Sequence, residues 1–153
     1  MDINLKRLTR DLEKIVGKEN TFSDRPTALA QLSNVEFCLK KIVRLAPDYF
    51  YGTPCILMGS LLAAKPGLLG GKPSEARKYF EKAFLLGQGK FLLAHYYFAK
   101  YYSVRVQDKA LFMKMIEQIH DSPPGALKQA CLINAVVKEK AVRLEAMADE
   151  LFL

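Results

Sequence analysis

Apolar residues recur at steps of three and four along nearly the whole chain, and no stretch sustains the polar–apolar alternation of a half-buried strand. The pattern predicts an all-α protein of about seven helices in one domain, residues 1–153. A first helix over about Asp2 to Val16 carries Ile3, Leu5, Leu8, Leu12, Ile15 and Val16 and stops near Gly17. Asp24 and Pro26 open a second, with Leu29, Leu32, Val35, Leu39, Ile42 and Val43 recurring until Pro47, and the two are expected to pair. A third, about Thr53 to Ala64, is closed by Lys65-Pro66-Gly67 and the turn at Gly70-Gly71. Pro73 starts a fourth, with Ala76, Tyr79, Phe80, Ala83 and Leu86 inward, and a fifth spans about Phe91 to Val104. Asp108 is placed to cap a sixth, Lys109 to Ile119, and Ser122 before Pro123-Pro124 to cap the seventh. That long closing helix carries Leu127, Ala130, Asn134, Val137, Ala141, Leu144, Ala148 and Leu151 in unbroken steps of three and four. Asn134 is the exception on this seam, and a buried amide there must find partners, which points to fixing register or bonding backbone.

Paired helices of this length invite a test for repeats. His95, Phe98, Ala99 and Tyr102 sit at the spacing of a tetratricopeptide first helix, and Leu111, Met115, Gln118 and Pro123 at that of its second. Ala76, Phe80 and Ala83, and earlier Val35, Leu39, Ile42 and Pro47, match second helices of more degenerate units. Stacked antiparallel pairs of this kind bury their faces against one another and leave a concave surface for a ligand or peptide.

Composition narrows the function classes. The apolar run Cys55 to Ala64 is too short to cross about 30 Å of hydrocarbon and holds Gly59 and Ser60. Cys38, Cys55 and Cys131 form neither a disulfide framework nor a metal knuckle and read as small buried hydrophobes. The net charge of +7 is concentrated centrally: residues 65–114 hold ten basic and three acidic side chains, a sum of +7, against +2 before them and −2 after. A cationic middle favours an anionic partner.

The predicted fifth helix concentrates Phe91, Tyr96, Tyr97, Phe98, Tyr101 and Tyr102, more aromatics than one buried stripe absorbs. Phe98 and Tyr102 belong to repeat-core positions, which leaves Tyr97 and Tyr101 as a groove wall, with Arg105 another turn along the same face. An aromatic wall ending in a cation suits a ligand with an apolar body and a carboxylate head. Tyr49, Phe50 and Tyr51 read as packing at a helix entry. His95 and Asp108 lie on different elements and neither histidine sits beside a nucleophile, so no enzyme is expected, nor any cofactor or metal. No strand platform or nucleic-acid motif is visible, so no nucleic-acid partner is expected.

Several longer motifs are similar to those of one family. Tyr49-Phe50-Tyr51-Gly52-Thr53-Pro54, Lys65-Pro66-Gly67 with Leu69-Gly70-Gly71, Ala76-Arg77-Lys78-Tyr79-Phe80-Glu81-Lys82-Ala83, and Lys90-Phe91-Leu92 leading to Tyr101-Tyr102-Ser103-Val104-Arg105-Val106-Gln107-Asp108 carry the likeness, together with the tail Leu132-Ile133-Asn134-Ala135 through Ala148-Asp149-Glu150-Leu151-Phe152. Over about Tyr49 to Phe152 the chain resembles the tetratricopeptide-like T component of bacterial TRAP transporters (TatT-like proteins). The resemblance implies a periplasmic, often lipid-anchored adaptor that partners the solute-binding (P) subunit and helps hand over an apolar or organic-acid ligand. Met1 runs directly into Asp2 and a charged amphipathic stretch, and no lipobox cysteine is present, so membrane contact is expected only through an anchor outside this chain. The alternative is a cytoplasmic scaffold that captures an acidic peptide tail with Lys78, Lys82, Lys90, Lys100 and Arg105. Self-association is compatible with both.

Overall fold

A computed structural model of the protein describes residues 25 to 152; the first expected helix, Asp2 to Val16, lies outside them. Seven α-helices are found among the described residues: α1 (Arg25–Leu45), α2 (Tyr49–Ala64), α3 (Pro73–Leu86), α4 (Leu92–Tyr97), α5 (Lys109–Asp121), α6 (Cys131–Ala146) and the short α7 (Ala148–Leu151). A π-helical stretch, Phe98–Ser103, continues α4, and 3-10 turns occupy Gly67–Leu69, Pro124–Ala126 and Lys128–Ala130. No strand occurs among the described residues, and the fold is all-α. The chain divides into two compact units between Cys38 and Leu39. Of the stripe expected on α1, Leu39 is buried, whereas Ile42 is exposed, as are Phe37 and Leu45.

Within the second unit α2 and α3 form an antiparallel hairpin. A Cβ on Gly52 would meet Leu86 and Ala83, one on Gly59 would meet Phe80 and Ala76, and the Lys72 N–H donates to the Leu62 carbonyl at 3.0 Å. The start of one helix therefore lies against the end of the other. Gly70 closes the connecting loop in the left-handed region, and a side chain on Gly71 would collide with the Lys65 carbonyl, so the Gly-Gly pair is a steric requirement of this turn.

Regular α2 geometry starts at Thr53. Phe50, Tyr51 and Gly52 before it are all left-handed (φ 41°, 57° and 84°), which is costly for the two aromatics. The Thr53 hydroxyl donates to the Phe50 carbonyl at 2.7 Å, and the Phe50, Tyr51 and Phe91 rings pack with centroids 5.3 to 5.6 Å apart. Phe50 and Tyr51 thus perform the packing task expected of this cluster, whereas Tyr49 is exposed.

α4 is the central element, touching α2, α3, α5 and α6. His95, Phe98, Ala99 and Tyr102 are all buried, as the repeat spacing predicts, and the pair formed by α4 and α5 fits the tetratricopeptide-like expectation. Asp108 Oδ1 accepts the Leu111 N–H at 2.9 Å and caps α5 as expected.

The closing segment differs at its start. Ser122 does not cap a following helix; its hydroxyl donates to the Gln118 carbonyl at 2.7 Å and ends α5. Pro123 and Pro124 lack N–H donors for a new ladder, so two 3-10 turns intervene before α6 begins at Cys131. The seam itself holds: Ala130, Asn134, Val137, Ala141, Leu144 and Ala148 are buried, and α6 touches both α4 and α5. The cysteine expectation needs correction, because Cys55 is buried but Cys38 and Cys131 are exposed. Each of those two sits one residue beside an inward position, Leu39 and Ala130, and about 100° of helical rotation carries it outward.

Candidate functional site

The aromatic helix delivers a surface patch where it widens into the π-stretch. π-helical turns are uncommon and occur often at functional sites. Tyr97 and Tyr101, both half-buried, stack at 5.6 Å with planes 29° apart, and Tyr96 lies 5.6 Å from Tyr97. Lys100 Nζ sits 5.3 Å from the Tyr101 ring centre and 5.9 Å from that of Tyr96, a cation over two electron-rich faces. Arg105 follows on the last turn, exposed and without an ion pair to any described residue. The structure therefore brings Tyr97 and Tyr101 together and engages Lys100 with tyrosine rings.

Two buried polar atoms flank the same stretch. Among the described residues His95 Nδ1 and Ser103 Oγ find no hydrogen-bond partner of good geometry, and His95 packs 4.8 Å from the Phe84 ring. Burial favours the neutral His95 imidazole and holds it below its ordinary pKa, and the Phe91 carbonyl, which favours the protonated ring, opposes this only in part. Asp108 Oδ1 serves as the cap of α5.

Among the clefts of the described surface are two open ones, and neither of these is lined by Tyr97, Tyr101 or Arg105. One, about 520 Å³, runs along α3 and is lined by Lys72, Ser74, Glu75, Lys78, Tyr79 and Lys82. The other, about 500 Å³, lies between α5 and α6 beside the pair made by His120 Nε2 and Glu145 Oε2 at 3.0 Å. The α3 cleft joins two of the expected partner-binding lysines, Lys78 and Lys82. Lys90 stands exposed on the turn before α4, where its carbonyl accepts from Asn134 Nδ2. Lys72 and Ser74 carry no signal of a site in the sequence, and Tyr79, expected inward, is instead half-buried and lines the cleft, sharing a helix face with Lys82 three residues on. Among the described residues no group of three or more histidines, cysteines or carboxylates could hold a metal, and no helix is long and apolar enough to cross a membrane.

The family model of the TRAP transporter T-component matches residues 19–152. The chain belongs to the TRAP transporter T-component family. As a T component it is associated with a TRAP transport system. The match extends the resemblance of Tyr49 to Phe152 back to residue 19, and it covers the aromatic patch and the α3 cleft alike. No curated protein matches the chain.

Proposed function

We propose that this T component is a periplasmic, non-enzymatic adaptor that binds the solute-binding subunit of its TRAP system and helps pass on an apolar or organic-acid ligand. The observation that carries the reading is the family match over residues 19–152. The Tyr97–Tyr101 stack supplies an apolar wall, and Arg105, exposed beyond it, supplies the charge for a carboxylate. Lys78, Lys82, Lys90 and Lys100 serve the partner face, with Lys100 also buttressing Tyr101. Burial of His95 and the capping role of Asp108 support a protein that works by binding. Immobilised protein should retain the solute-binding subunit from a periplasmic extract; failure to retain it, with the native protein found in the cytoplasm, contradicts the reading.

A further inference from the structure

Helix α3 distributes its charges unevenly. Arg77 Nε meets Glu81 Oε1 at 2.9 Å across one turn, and Lys72 Nζ meets Glu75 Oε2 at 3.6 Å. Lys78 and Lys82 are also one turn apart, on the next face round, but they have no ion pair with any described residue. Like charges at this spacing disfavour the helix that carries them. Lys82 is near enough to the buried Cys55 thiol to oppose the desolvation that raises its pKa. Both lysines and Lys72 line the same cleft of about 520 Å³, together with Ser74, Glu75 and Tyr79.

We propose that this cleft is a docking groove for an acidic segment of a partner protein, with Lys72, Lys78 and Lys82 meeting its carboxylates and Ser74 and Tyr79 giving it direction. From Lys72 to Lys82 the helix rises about 15 Å, the length of four or five extended residues. Three flexible lysines act as point charges spread along a line, an arrangement that reads a run of carboxylates better than one planar anion. Small-molecule sites enclose most of their ligand among apolar side chains, whereas this groove is open and lined by charged and polar ones. A continuous anionic bilayer would have to meet the Glu75 carboxylate that lines the cleft as well as the lysines, whereas a peptide can space its carboxylates to the lysines alone. The proposal rests on the adaptor reading for the identity of its partner, the solute-binding subunit, and not for the chemistry of the groove.

The test uses fluorescein-labelled hexaglutamate peptide, citrate, and vesicles of equal parts phosphatidylcholine and phosphatidylglycerol. The wild-type chain should bind the peptide at low ionic strength, and Lys78→Gln/Lys82→Gln should weaken binding at least about tenfold. Lys128→Gln/Arg143→Gln, which removes the same charge from exposed positions, should stay within about twofold. Far-ultraviolet dichroism should show both variants folded, since all four side chains are exposed. No peptide binding, equal loss in both variants, competition by citrate at equal concentration, or vesicle binding in place of peptide binding would each overturn the groove. Undiminished capture of the solute-binding subunit by the Lys78→Gln/Lys82→Gln variant would also overturn it while leaving the adaptor reading standing. Peptide binding through the groove without capture of that subunit would uphold the groove and overturn the adaptor reading.

Discussion

Asn134 holds the backbone of Leu92 across the unit: its Oδ1 accepts the Leu92 N–H at 3.0 Å, while its Nδ2 donates to the Lys90 carbonyl at 2.9 Å. One fully buried amide thereby satisfies a donor and an acceptor at the start of α4 and fixes where α6 meets it. Asn134→Leu leaves the buried Leu92 N–H without its acceptor and takes the donor from the Lys90 carbonyl. It should cost about 2–4 kcal/mol in denaturant unfolding, and a loss under about 0.5 kcal/mol would show that the pairing does not hold α4 in register.

The Gly-Gly turn gives a second, local prediction. Gly71→Ala should destabilise the chain by about 1–3 kcal/mol, because the added methyl meets the Lys65 carbonyl and the loop must move. Gly67→Ala, whose methyl meets nothing, should stay within about 0.5 kcal/mol. Equal midpoints for the two variants in a thermal melt would contradict this turn.

His95 ties stability to pH. Its folded pKa lies below the ordinary 6.5, so as pH falls below that value the unfolded chain takes up a proton that the folded chain refuses. Folding is therefore favoured above that value and weakened below it, by at most about 1.4 kcal/mol per pH unit until the folded ring itself titrates. Comparing melts of wild type and His95→Gln at neutral and mildly acidic pH isolates this contribution. The acid-induced drop should be smaller in the variant; an identical drop would remove His95 as its source.

Much of this arrangement was legible in the pattern of residues. The seam from Ala130 to Ala148 buries at the positions its spacing predicted, because helical periodicity survives whatever the helix packs against. Asp108 was legible as a cap for the same local reason. The left-handed turn at Phe50 and Tyr51 was not, since aromatics carry no local preference for positive φ and only their tertiary contacts with Phe91 and Gln129 offset the strain. The π-stretch over Phe98–Ser103 also lies beyond a pattern read at 3.6 residues per turn. Of the candidate site, the Tyr97–Tyr101 stack followed from a spacing of four, while the α3 cleft depends on where Lys72 ends the loop, which periodicity does not encode.

Arg105 and Tyr102 separate binding from folding. Arg105→Gln should weaken an organic-acid ligand of the transport system about tenfold and leave the melting temperature unchanged, because the side chain is exposed and makes no ion pair with a described residue. Tyr102→Ala should cost about 3–5 kcal/mol, since its ring is buried 4.7 Å from Phe98. Loss of stability in Arg105→Gln, or undiminished ligand affinity, would remove Arg105 from the site.

The adaptor role itself is tested most directly by titrating this protein against the purified solute-binding subunit of its own TRAP system and following complex formation by sedimentation velocity. A saturable complex with a Kd of about 100 micromolar or tighter is the predicted result. Two species that sediment independently at every concentration up to the high micromolar range, with and without the transported acid, would contradict it.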